Sequence, residues 1–128
     1  MVQFLTEDWL SALTETLNGH DGFKTSIANV ELTLQFDIPD APEGAVGRYY
    51  MAIGNGAAEA ASGDADSADA TISNNYETAT AVSKGELNTQ MAFMTGKLKV
   101  TGNMAKLMMN QAMLTKFAEA ASGLEVEY

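Results

Sequence analysis

Cysteine is absent from this chain of 128 residues. Its absence excludes disulfides, thiolate metal sites and cysteine nucleophiles, and it fits a reducing compartment. Histidine occurs once and proline twice. Basic residues are scarce: seven Lys and Arg stand against seventeen Asp and Glu, a net charge of −10. That balance argues against a nucleic-acid partner, because phosphate recognition needs a basic face. No apolar run approaches the roughly 20 residues of a membrane-spanning helix. The opening MVQFLTEDWL lacks the basic and apolar regions of a signal peptide, and GLEVEY carries neither a lipidation box nor a peroxisomal tripeptide. The expectation is one soluble, cytoplasmic domain over residues 1–128, large enough to fold without a covalent or metal staple.

What is present is unevenly spread. Six of the eight methionines fall between positions 91 and 113. From Leu87 to Ala118 there is no Asp or Glu, while Lys97, Lys99, Lys106 and Lys116 lie there, so the segment is +4 and the rest of the chain −14. One reading is an acidic surface with a less acidic core segment. The other is a locally positive region beside an apolar site, suited to an anionic amphiphile or an anionic membrane surface.

Residues 6–18 read as a helix: Thr6 caps it, Glu7 and Asp8 suit its positive end, Trp9, Leu10, Leu13 and Leu17 form a stripe, and Gly19 closes it. A loop, HDGFKT, leads to VELTLQFDI, where Val30, Leu32, Leu34, Phe36 and Ile38 alternate with polar residues as in a half-buried strand. PDAPEG makes a turn into a second strand, GRYYMAIGNG. AAEAAS (57–62) and ADATIS (68–73) read as two more, with GDADSAD as the loop between them. Four antiparallel strands in succession predict a meander with one buried face. The period then changes. Asn75 caps a helix over 76–84 that Gly85 stops, and Asn88 caps another over 89–95 that Gly96 stops. KLKVT is a short strand, and Gly102 and Asn103 turn into a helical region from Met104 to about Ala121. There the apolar stripe rotates by roughly a quarter turn, so either two short helices meet near Asn110 or one helix is apolar on most of its circumference. Both leave more apolar surface than one sheet face covers. The outline is an α+β domain, a five-stranded sheet with helices on one face.

Recognisable chemistry is sparse. His20 sits in NGHDG with no nucleophile beside it and reads as a solvated loop residue. Asp64, Asp66 and Asp69 resemble a calcium loop, but the sixth and twelfth positions are Asp69 and Asn75, so the motif fails. IGNG is followed by no Lys-Ser/Thr and reads as a hairpin, not a phosphate loop. Tyr49 and Tyr50 point to opposite faces, so at most one enters a site. No enzyme, cofactor or metal is expected. Methionine adapts to irregular space, which suits a pocket for variable hydrophobic ligands, although each methionine taken singly is ordinary core.

The stretch NTQMAFMTGKLKVTGNMAKLMM resembles the sterol carrier protein 2 family. That family shows a strand of the DATIS kind, a helix, then a Q-x-A-F-x-x-GKLK-h-x-GN-h pattern, matched here by Gln90, Ala92, Phe93, Gly96, Lys97, Leu98, Lys99, Val100, Gly102, Asn103 and Met104, with DATIS at 69–73. The resemblance implies a five-stranded, mostly antiparallel sheet with helices on one face and a hydrophobic tunnel between them. It also implies binding and transfer of sterols, fatty acids, fatty acyl-CoA or phospholipids without chemistry. The ending LEVEY, in place of a peroxisomal signal, suggests a prokaryotic member. In that frame Met51 and Ile53 form a sheet-side wall, and Phe93, Met94, Val100, Met104, Leu107, Met108, Met113, Leu114 and Phe117 form the helical walls. The junction near Asn110 is the hinge. Lys97, Lys99 or Lys106 meet a headgroup, or else keep an edge strand from aggregating. The expected partner is a lipid or similar small molecule, with at most transient membrane contact. The alternatives are a dimerisation module whose C-terminal helices bury a protein partner, with a homodimer among the options, and an enzyme using Tyr49 or Tyr50.

Overall fold

The computed structural model describes residues 2–84, 86, 87 and 89–127, and the backbone alone of Thr89, Gln90, Gln111, Leu114 and Ala118. The elements run β1 (Val2–Gln3), α1 (Glu7–Asn18), α2 (Asp21–Ser26), β2 (Leu32–Asp37), β3 (Arg48–Gly54), β4 (Ala57–Ser62) and β5 (Ala70–Ser73). They continue with α3 (Tyr76–Ser83), α4 (Thr89–Met94), β6 (Lys99–Gly102), α5 (Met104–Met109), α6 (Gln111–Ser122) and β7 (Val126–Glu127). Among the described residues no helix is long and apolar enough to cross a membrane.

Five strands form one sheet in the order β4-β3-β2-β5-β6. The alternation read in the sequence holds: Leu32 and Leu34 face the same side as Met51, Ile53, Ala58, Ala70 and Ile72, and all are buried. β3 and β4 are joined by Asn55 and Gly56, both at positive φ (54° and 74°), the conformation a two-residue hairpin demands.

The four-stranded meander does not form. β2, β3 and β4 are antiparallel, but β5 crosses back to pair parallel with β2, and β6 adds antiparallel to β5. The reason lies on the opposite face of β2. Gln35, only 4% exposed, donates from Nε2 to the carbonyls of Tyr49 and Gly63 (both 3.1 Å) and accepts from the Ala65 amide (2.8 Å). Its amide group thus ties the start of the crossing loop to the sheet, and these bonds satisfy the buried Gln35 side chain itself.

The segment HDGFKT, expected as a loop, is helix α2. His20 is its cap, with Nδ1 accepting from the Phe23 amide (3.0 Å), and is half-buried, not a solvated loop residue. Thr6, Asn75 and Asn103 cap α1, α3 and α5 through their side-chain oxygens. The expected stop at Gly85 and cap at Asn88 lie outside the described residues. Two-residue strands β1 and β7 pair in parallel, a contact too short for any sequence period to signal. The C-terminal region is two helices, α5 and α6, breaking at Asn110. Helix α6 packs on α1, α2, α3 and α4, which makes it the centre of the helical layer.

Candidate functional site

Two features could hold a ligand: the apolar interior between the sheet and α6, and a cleft at one end of the sheet. The interior is one buried cluster that includes Met51 and Ile53 on β3, Leu107 on α5 and Met113 on α6. Phe117, half-buried, meets Phe23 at a ring separation of 6.4 Å. Val100 and Met104 are also half-buried. The expected lining therefore divides. Met51, Ile53, Leu107 and Met113 are inside, and Val100, Met104 and Phe117 are at the margin. Phe93, Met94 and Met108 are 44, 79 and 62% exposed and stand at the surface instead of in an internal wall. The physical reason is helix length. α4 and α5 have six residues each, and among the described side chains those they bury are Ala92 and Leu107. The Leu114 and Gln90 side chains lie outside the described residues.

The junction at Asn110 departs from helical geometry. Asn110 ends α5 at φ −114° and ψ 31°, gives α6 no side-chain cap, and donates its Nδ2 back to the Lys106 carbonyl (2.7 Å).

The cleft encloses about 570 Å³ where β2 and β5 end and β6 begins, and is lined by Pro39, Asp40, Ser73, Asn74, Asn75, Glu77, Thr78, Ala81, Leu87, Gly96, Lys97 and Lys99. Two of the three headgroup lysines therefore share one cleft, balanced by Asp40 and Glu77. Asp40 is already engaged, its Oδ1 accepting from the Tyr76 amide (2.7 Å). Sequence reasoning found the lysines by their charge. It missed Asp40, Asn74 and Thr78, which carry no local signal.

Lys106 is elsewhere. Its Nζ lies 3.2 Å from Asp69 Oδ1, while Asp69 Oδ2 accepts from the Thr33 amide (2.8 Å). The Thr33 amide holds the Asp69 carboxyl below its usual range; partial burial pushes it up, and Lys106 lowers it again. The Asp69 carbonyl also accepts from the Asn103 amide (2.8 Å), so this residue ties β2, β5 and the start of α5 together. Gly102 passes so close that a Cβ would meet the Asp69 carbonyl oxygen at 2.7 Å, and its φ is +103°. Gly96 has a φ of +78° and ends the turn after α4. In the GKLKVTGN stretch, then, both glycines, the buried Leu98 and the capping Asn103 build the fold.

Asp64 is paired with Arg48 (2.6 Å), so the aspartates of the DADSAD loop do not converge. Among the described residues no three His, Cys, Asp or Glu side chains cluster as metal ligands would. Tyr49 stacks on Phe36 (4.8 Å, 9°) and meets Trp9 edge-on, and burial pushes its phenol far up. A phenol held neutral in an aromatic cluster is packing.

A family model described as the SCP-2 sterol transfer family matches residues 13–115. A crystal structure of a sterol carrier protein 2 superimposes with a TM-score of 0.82 at 23% identity, covering 96% of this chain and 100% of that one. A conserved hypothetical protein of Thermus thermophilus gives 0.78 at 21% identity, covering 99% and 93%. The sec-alkylsulfatase Pisa1 of a Pseudomonas species gives 0.54 at 18% identity, over 70% of this chain and 14% of that enzyme. No curated protein matches at the sequence level.

Proposed function

Because this chain belongs to the SCP-2 sterol transfer family, we propose that it binds a hydrophobic lipid between its sheet and α6 and passes it on without chemistry. The observation that carries this reading is that Met51 and Ile53 of the sheet belong to the same buried cluster as Leu107 and Met113 of the helices. A sheet face and two helices bring soft side chains together there, and methionine repacks around ligands of differing shape. An acyl chain entering this layer gains about 0.8 kcal/mol per CH₂, less the cost of ordering it. The ligand class is fatty acid, fatty acyl-CoA, phospholipid or sterol-like lipid. Lys97 and Lys99 in the cleft are the groups for an anionic headgroup, and motion of α5 about Asn110 supplies the opening. Displacement of a fluorescent fatty acid from the purified chain tests this, with native mass spectrometry of whatever copurifies. A chain that takes up no acyl chain, acyl-CoA or steroid overturns it.

A second reading has its own support. The same fold forms a small part of the Pseudomonas sulfatase, and this chain exposes methionines on α4 and α5. In that reading the domain is a structural module that buries a protein partner. Sizing across a concentration series separates the two readings.

A further inference from the structure

The large hydrophobic side chains exposed among the described residues are Met91, Phe93 and Met94 on α4 and Met108 and Met109 on α5. Four of these five are methionine. An exposed apolar residue needs no explanation by itself, but the choice of methionine does. Leucine is as good a helix former and nearly the same size, so neither propensity nor packing calls for a thioether at these positions. What methionine has and leucine lacks is an oxidisable sulfur. The chain contains no cysteine, so its thioethers are its only sulfur atoms. The fold draws a sharp line among them. Met94 and Met109 are 79 and 83% exposed, whereas Met51 and Met113 are each 1% exposed.

We propose that Met94, Met108 and Met109, together with the less open Met91, are reversible reaction sites for two-electron oxidants of the hydroperoxide class. A lone pair on Sδ attacks the outer oxygen of the peroxide. The O–O bond breaks, an S–O bond forms, and the proton of the transferred oxygen passes to the leaving oxygen, which departs as water or an alcohol. Sulfur gives up two electrons and becomes the sulfoxide, and the peroxide takes up the same two. Each side chain reacts alone, so the sites need neither a common face nor a partner group. Burial decides what the product does to the fold. In the core a sulfoxide would be a polar group without a hydrogen-bond partner, but at a position open to water it is solvated. Methionine sulfoxide reductases return it to the thioether. The molecule thus keeps apart the thioethers that pack and those that can be consumed and restored. The inference does not rest on a lipid occupying the interior.

The test treats the full chain with limiting hydrogen peroxide and maps oxygen uptake residue by residue by mass spectrometry of its peptides. Met94, Met108 and Met109 should gain one oxygen first and Met91 next. Met51 and Met113 should react at least about tenfold more slowly, because they are reached only when the chain opens. The oxidised chain should keep the circular dichroism spectrum and urea midpoint of the untreated one. Reductases for both sulfoxide epimers, supplied with a dithiol, should restore its mass. Met94→Leu, Met108→Leu and Met109→Leu combined preserve size and helix propensity and should leave Met91 as the one fast site of α4 and α5. Fatty-acid displacement on the same samples reports the interior separately, so a chain that binds no lipid but oxidises in this order fails only the lipid reading. Three results would overturn the proposal: Met51 or Met113 oxidising as fast as the exposed methionines, loss of the fold once those are oxidised, or sulfoxides that the reductases leave in place.

Discussion

The two edges of the sheet are treated differently. At β4, helix α1 closes the edge with side chains. Asn18 donates from Nδ2 to the Ala58 carbonyl (2.8 Å) and accepts the Ala58 amide on Oδ1 (3.0 Å), and Thr14 accepts the Ala60 amide (2.9 Å). At β6 the flanking helices turn methionines outward, and the strand shows Lys99 and Thr101 to solvent. An exposed strand edge invites pairing, and a protein blocks it either by covering it or by charging it. This molecule covers one edge and charges the other. The covered edge serves the fold. The charged edge keeps apolar side chains on display, where they add little to stability.

The comparison breaks first where the open edge is anchored. Gly102→Ala places a Cβ against the Asp69 backbone at a φ that side chains rarely adopt, and should cost about 3 kcal/mol. Urea unfolding measures it, and a loss below about 1 kcal/mol would show that the edge yields freely. Met113→Ala removes a side chain 1% exposed and should cost about 2–4 kcal/mol through transfer and cavity terms.

Much of this architecture is legible residue by residue. The alternation from Leu32 to Phe36 marks β2, the caps at Thr6 and Asn75 mark α1 and α3, and the rotation of the apolar stripe marks the break at Asn110. Each signal is local. The parallel pairing of β5 is not, because it depends on Gln35 meeting Gly63 and Ala65, about thirty residues away. α2 was hidden because a six-residue helix has too few turns to show a period, and its cap is a histidine. The site divides in the same manner. Composition marks the methionines as a group, but Met109 and Met113 are four residues apart across the break at Asn110, the first 83% exposed and the second 1%. Docking of α6 against four helices decides that, and no spacing rule does.

At the closed edge, Asn18→Ala removes both bonds to Ala58 and should cost about 1–2 kcal/mol. Lys99→Ala at the open edge should change stability by less than about 0.5 kcal/mol. Equal costs would erase the distinction between the edges. Asp69 adds a pH signature. Its carboxyl titrates below the ordinary 3.8, so its contribution is complete above that value and disappears as pH falls through the folded-state pKa. Unfolding followed through this acid range should show wild type losing stability more steeply than Asp69→Asn, and parallel curves would remove Asp69 from the anchor.

The smallest expected effect is the most telling. Met109→Ala deletes a large apolar side chain from the middle of the methionine-rich segment. Were these methionines part of one packed interior, the cost would be a cavity of the Met113 kind. At 83% exposure Met109 has almost no packing to lose, and alanine is the better helix former, so stability should move by less than about 0.5 kcal/mol in either direction. Urea unfolding of Met109→Ala beside Met113→Ala reads the difference directly. A cost above about 1 kcal/mol for Met109→Ala would mean that α5 folds inward in solution and that the open edge closes over its own methionines. A null result shows that Met109 is not held for the fold, in contrast to Met113.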